Sequence, residues 1–159
     1  MNPPEQKIGK LLTERNLTLA VAESCTGGLI SHRITNIPGS SNYFERGVVV
    51  YSNRAKTELL GIEGKVIGAY GAVSAEVARA MAAGAKEAAR TDFGLAVTGI
   101  AGPVSDESKK PVGLVYIAVC APDGSLQDKK YNFHGTRLQI KKQSADAALE
   151  LLLKMLRCQ

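Results

Sequence analysis

Apolar positions along this chain change their period repeatedly, and each change marks an element. Ile8, Leu11 and Leu12 recur at helical spacing, which predicts an amphipathic helix from Glu5 to Asn16. The run Leu19-Ala20-Val21-Ala22 predicts a buried strand over roughly Thr18 to Glu23, and Leu29, Ile30, Ile34 and Ile37 return to helical spacing. Pro38 ends that second helix near Asn36, because proline cannot sit in a helix interior and biases the residue before it away from helical geometry. Phe44 to Tyr51 is a second strand whose unbroken Val48-Val49-Val50 suits the middle of a covered sheet. Asn53 is the expected N-cap of a helix from Arg54 to Leu60, stopped by Gly61, and Glu63 to Gly71 is a short helical or irregular connection.

The second half continues the alternation. Ser74 caps an alanine-rich helix from Ala75 to Arg90, whose small residues Ala78, Ala82, Ala85 and Ala89 allow another element, or a second subunit, to come close. Phe93 to Thr98 is a third strand that runs into Gly99-Ile100-Ala101-Gly102-Pro103, and the polar segment Val104 to Lys110 is an exposed excursion. Val112 to Cys120 and Leu126 to Phe133 form a hairpin around Pro122-Asp123-Gly124. Thr136 and Gln139 have capping-box spacing and open a last helix carrying Ile140, Ala148, Leu152 and Leu156. Alternating strands and helices closed by a hairpin predict one α/β domain over residues 1–159, a three-layer αβα sandwich on a mixed parallel and antiparallel sheet. In such sheets ligands favour the loops at the strand ends. Two glycine-bearing loops, Ser24 to Gly28 and Thr98 to Gly102, leave strands in the same sense and are expected to meet at one edge.

Composition narrows the classes rather than choosing among them. With 45% hydrophobic and 22% charged residues the chain is ordinary globular material. No apolar run reaches membrane-spanning length and the start lacks the order of a signal peptide, so a cytoplasmic protein without a membrane partner is expected. Cys25, Cys120 and Cys158 are an odd number at unrelated spacings, and only His32 and His134 accompany them. Thiols are expected, with no disulfide framework and no protein-held metal. The net charge of +5 admits an anionic partner, but the basic pairs Lys109-Lys110, Lys129-Lys130 and Lys141-Lys142 are scattered among acids with few aromatics near them. A solvated surface or a small phosphorylated ligand fits this better than nucleic acid.

Several residues carry chemistry with a structural role beside it. Ser24, in Ala22-Glu23-Ser24-Cys25-Thr26-Gly27-Gly28, sits at a strand-to-helix turn and suits a helix cap as well as a reactive hydroxyl; Gly27 and Gly28 let backbone N–H groups come close to a ligand. Ser40 and Ser41 follow a proline-glycine turn, where turn capping competes with nucleophilic use. Lys56 falls in the first turn of its helix, where the dipole disfavours a cation; it is either an exposed lysine that tolerates this or a lysine of lowered pKa fit to act as a general base. A serine activated by lysine requires neither histidine nor metal. Tyr51 suits a core or rim position as well as catalysis, and its five-residue interval to Lys56 differs from the four-residue interval of short-chain oxidoreductases. Cys25 has no histidine near it in sequence and is expected to be a small buried residue. Arg137, again beside a helix N-terminus, would hold a phosphate or stand solvated.

Taken together, Ala22-Glu23-Ser24-Cys25-Thr26-Gly27-Gly28, Gly39-Ser40-Ser41, Phe44-Glu45-Arg46-Gly47, Tyr51-Ser52-Asn53-x-x-Lys56, Gly71-Ala72-Val73-Ser74, Thr98-Gly99-Ile100-Ala101-Gly102-Pro103 and Lys110-Pro111-Val112-Gly113 resemble the CinA C-terminal domain family. Characterised members are nicotinamide-nucleotide amidases, and the larger CinA proteins carry a further N-terminal domain. The resemblance implies deamidation of nicotinamide mononucleotide to nicotinic acid mononucleotide and ammonia, without a cofactor, in pyridine-nucleotide recycling. It implies Ser41 as nucleophile, Lys56 as base and Tyr51 as helper, with Ser24, Thr98 and Arg137 lining the nucleotide site. Thr26, Gly27, Gly28, Gly99 and Gly102 are expected to bind substrate with them. Together with the alanine-rich helix it also points to a homodimer. In one respect the chain departs from the family: the loop after Pro103 reads Val104-Ser105-Asp106-Glu107-Ser108-Lys109, without glycine. The alternative reading is a non-catalytic nucleotide-binding or competence and DNA-damage accessory protein.

Overall fold

The computed structural model describes residues 2–159. Helix α1 (Pro4–Arg15) leads into strand β1 (Leu19–Glu23), then helix α2 (Leu29–Thr35) and strand β2 (Phe44–Val49). Three helices follow, α3 (Asn53–Leu60), α4 (Gly64–Tyr70) and α5 (Ala75–Ala89), before strand β3 (Phe93–Gly99). The hairpin β4 (Leu114–Cys120) and β5 (Leu126–Asn132) and the long helix α6 (Arg137–Arg157) complete the chain. The sheet order is β2-β1-β3-β4-β5, with β1 parallel to both its neighbours and the last two pairings antiparallel. The expected mixed sheet and αβα layering are therefore observed.

Alternation along the central strands explains why the two faces differ. Leu19 and Val21 of β1, Phe93, Leu95 and Val97 of β3, and Val115, Ile117 and Val119 of β4 pack on one side with α1, α2 and α6. The opposite positions are small, among them Ala20, Ala22, Ala96 and Ala118, and they meet the alanine face of α5. With so little side chain between them, helix and sheet come very close: a Cβ on Gly94 would lie 2.1 Å from the Ala82 carbonyl oxygen. The small residues of α5 are thus used inside the chain, at Ala78, Ala82, Ala85 and Ala89.

Two expectations need correction. β2 lies at the sheet edge, and four of its six residues are exposed. The apolar run that suggested a covered strand finishes only at Val50, the one fully buried member of Val48-Val49-Val50. The cap of α3 is Ser52, whose hydroxyl accepts from the Ala55 N–H at 3.0 Å, while Asn53 is the first helical residue. The Thr136 and Gln139 capping box and the Ser74 cap form as expected.

The winding places the site. From β1 the chain moves outward to β2 with α2 on one face, then crosses back over β1 to β3 with α5 on the other. The strand order reverses between β1 and β3, and the crevice beyond their carboxyl ends is where open α/β sheets bind ligands. Both glycine-bearing loops leave the sheet there, joined by the Ser24 N–H donating to the Val97 carbonyl at 3.1 Å.

Candidate functional site

Ser24 is the first residue beyond β1 and is nearly buried. Lys56 reaches it from α3. Helical side chains lean toward the helix N-terminus, and because Ser52 fixes where α3 begins, the Lys56 chain runs back over the segment leaving β2. Its Nζ donates to Ser24 Oγ at 3.1 Å, to the Val50 carbonyl at 2.9 Å and to the Tyr51 carbonyl at 3.2 Å. Lys56 is 1% exposed, and no carboxylate pairs with it among the described residues. Burial disfavours the charged ammonium and brings its pKa down from 10.5 to about 8, although the neighbouring Cys25 opposes the shift. Of the two roles left open for Lys56, the exposed one is not what the structure holds.

The Ser24–Lys56 pair lines a cleft of about 180 Å³ together with Tyr51, Thr98, Gly99 and Arg137. Arg137, at the first position of α6, donates from one guanidinium nitrogen to Tyr51 Oη at 2.9 Å and from the other to the Gly102 carbonyl at 2.6 Å. One side chain thus ties the loop after β3 to the rim tyrosine. Thr98 is buried, and its hydroxyl donates to the Ala72 carbonyl at 2.9 Å, fixing a turn that forms part of the cleft wall. Cys25 also lines the cleft, but burial in the core pushes its thiol pKa up to about 12, so it is a poor nucleophile.

Of the expected site residues, Ser41, Thr26, Gly27 and Gly28 do not line the cleft. Ser41 lies in a short 3-10 turn (Ser40–Asn42) before β2, is exposed, and does not line the cleft. Ser41 precedes β2 and Lys56 follows it, so a six-residue strand of about 20 Å separates their ends of the sheet. Thr26 is buried with its hydroxyl donating to Glu23 Oε1 at 2.6 Å. Gly27 and Gly28 take positive φ values of 60° and 104° and turn the chain into α2 shortly after Ser24 and Cys25, which line the cleft.

Glu23 is the residue whose role the sequence concealed. Fully buried at the end of β1, it accepts from the Thr26 hydroxyl, from the Ile30 N–H at 2.9 Å, and from the Ser31 N–H and hydroxyl at 3.0 and 2.8 Å. The first turn of α2 is therefore occupied by a side chain of the protein and is not an anion site for a ligand. A signal was present in an acid closing an apolar strand with a threonine three residues later. Glu23→Gln would keep one acceptor oxygen and turn an N–H₂ group toward two of the four donors. Unfolding in denaturant should show a loss of about 2–4 kcal/mol; a loss below about 1 kcal/mol would mean that the carboxyl group does not hold the Ser24 loop.

Comparison with known proteins places this architecture. The model of the CinA C-terminal domain matches residues 1–156. The chain belongs to the CinA C-terminal domain family. It is 50% identical over 96% of its length to a CinA-like protein of Citrifermentans bemidjiense, and 51% identical over 96% to one of Syntrophus aciditrophicus. In each case it spans 36% of the relative, little more than a third. Among solved structures, the competence/damage inducible protein CihA of Agrobacterium tumefaciens is 38% identical with a TM-score of 0.89, over 98% of this chain and 96% of that one. A CinA superfamily protein of Klebsiella pneumoniae is 26% identical with a TM-score of 0.94, over 98% and 97%.

Proposed function

We propose that this CinA-family chain is an amidohydrolase that deamidates nicotinamide mononucleotide to nicotinic acid mononucleotide and ammonia, with Ser24 as nucleophile and Lys56 as its base. The observation that carries this reading is the 3.1 Å contact between Lys56 Nζ and Ser24 Oγ, made by a lysine whose burial favours the neutral amine. The resemblance had suggested Ser41 for the nucleophile; the position of Lys56 favours Ser24.

In the first half-reaction Ser24 Oγ attacks the carboxamide carbon while its proton passes to Lys56 Nζ. The tetrahedral intermediate collapses, Lys56 returns the proton to the departing nitrogen, and ammonia leaves a nicotinoyl ester on Ser24. Water then attacks the ester, Lys56 takes its proton and returns it to Ser24 Oγ, and the carboxylic acid departs. Developing charge on the carbonyl oxygen requires donors fixed beforehand. Among the described residues no backbone carbonyl accepts from the N–H groups of Cys25 or Thr26, which directly follow the nucleophile. Those two groups are suited to the oxyanion. Arg137 and Tyr51 at the rim would orient the nucleotide beyond the amide.

The names of several relatives refer to competence and damage, a circumstance of induction that specifies no chemistry at Ser24. The direct test is ammonia release from nicotinamide mononucleotide by the purified chain in the presence of chelator. Steady release without added metal supports the reading; folded protein that binds the nucleotide without releasing ammonia overturns it in favour of a binding role.

A further inference from the structure

Helix α6 opens with a cation at its first residue, Arg137, and another one turn later, Lys141, with no acid in its first turn. Residues four apart share a helix face, and the positive end of a helix dipole disfavours cations on it. The neighbouring Lys142 is compensated by Asp146 at 3.1 Å. Lys141 is half-buried, and among the described residues no carboxylate lies within salt-bridge distance of it.

The Lys141 ammonium rests on the glycine loop: a Cβ on Gly27 would lie 3.6 Å from its Nζ. Its charge and that of Lys56 both act on the Cys25 thiol. Gly28, the residue after Gly27, donates its N–H to no carbonyl among the described residues. Glu23, the acid nearest in the chain, spends its oxygens on Thr26 and the start of α2. An uncompensated half-buried cation over open backbone, beside an arginine that already lines the cleft, is a place where a dianion would restore electrical balance.

We propose that Lys141 and Arg137, over the Gly27-Gly28 turn, form the subsite for a phosphate monoester, so that a ligand enters the cleft with its phosphate on α6 and its other end toward Ser24. This deepens the proposed function and rests on it for the identity of the whole ligand, but the phosphate site itself can be tested without turnover.

Inorganic phosphate and ribose 5-phosphate would be titrated calorimetrically into the wild type, Lys141→Met, Lys141→Arg and Lys142→Met, each first checked for an unchanged melting temperature. Ribose 5-phosphate affinity is expected to fall at least tenfold in Lys141→Met, with recovery in Lys141→Arg and no change in Lys142→Met. The two titrants separate free phosphate from an organic monoester: equal affinities mean a free-anion site and overturn the nucleotide orientation. Equal weakening by Lys142→Met would reduce the effect to bulk charge and overturn the proposal, as would wild type that binds neither titrant at millimolar concentration. In parallel, KM for nicotinamide mononucleotide should rise about tenfold in Lys141→Met with kcat changed far less, and the preference over the unphosphorylated riboside should collapse. Lys141-dependent binding without any amidase activity would sustain the subsite and sink the amidase; amidase activity with an unaltered KM in Lys141→Met would do the reverse.

Discussion

Replacing Ser24 with alanine is expected to lower kcat for nicotinamide mononucleotide by on the order of 10⁴-fold or more, while Ser41→Ala leaves it within about threefold. Removing an attacking oxygen abolishes the covalent route altogether, and in serine hydrolases the residual rate comes only from binding and oxyanion stabilisation. A 10⁴-fold loss corresponds to about 5.4 kcal/mol of transition-state stabilisation. Among the described residues the Ser24 hydroxyl accepts only from Lys56, so its removal disturbs little else, and the variant should fold normally and bind substrate. Ser41 is the control because it sits on an exposed turn at the opposite end of β2. Rapid-quench measurement of an acyl-enzyme gives a second readout: a nicotinoyl adduct should map to Ser24 in the wild type and disappear in the variant. A full loss with Ser41→Ala and retained activity with Ser24→Ala would return the nucleophile to the site that the resemblance first suggested.

Whether Ser24 or Ser41 faces the lysine was in fact encoded in strand direction. A serine before β2 and a lysine after it cannot share an end of a sheet, whereas a serine after β1 can, once β1 and β2 are parallel. The motif resemblance pointed to Ser41 because it keeps residue order and discards direction. The layering, the caps at Ser74 and Thr136 and the hairpin were legible because they rest on local chemistry. The edge position of β2 was not legible, since an apolar run has the same appearance in a covered strand and at the end of an edge strand. Its interior Glu45-Arg46 pair, now exposed and joined by an ion pair, was the contrary sign. The part of Glu23 stayed hidden for a different reason: a buried acid satisfied by backbone N–H groups has no partner visible in sequence.

Lys56→Met is expected to separate activity from stability. Activity should fall by several orders of magnitude, because Ser24 loses the amine that would take its proton. In the wild type, kcat/KM should rise with pH along a single ionisation near 8, since only the neutral amine accepts the proton; the small residual rate of the variant should lack that step. The substitution should affect stability in the opposite sense to activity. The folded-state pKa lies below the unfolded one, so the unfolded chain holds one more proton between pH 8 and 10.5, and raising the pH through that window favours the folded wild type. Below about pH 8 the full cost of burying the ammonium is present; above 10.5 it is gone. A shift from 10.5 to about 8 corresponds to on the order of 3 kcal/mol. Methionine has nearly the same length and carries no charge, so Lys56→Met should be at least as stable as the wild type at pH 7, with the difference shrinking as the pH approaches 10.5. Unfolding curves for both proteins at pH 7 and pH 10 measure this directly. A wild type more stable than Lys56→Met at pH 7 would mean that the three hydrogen bonds of the ammonium outweigh its desolvation, and that the lysine rests in the charged form rather than as a base in waiting.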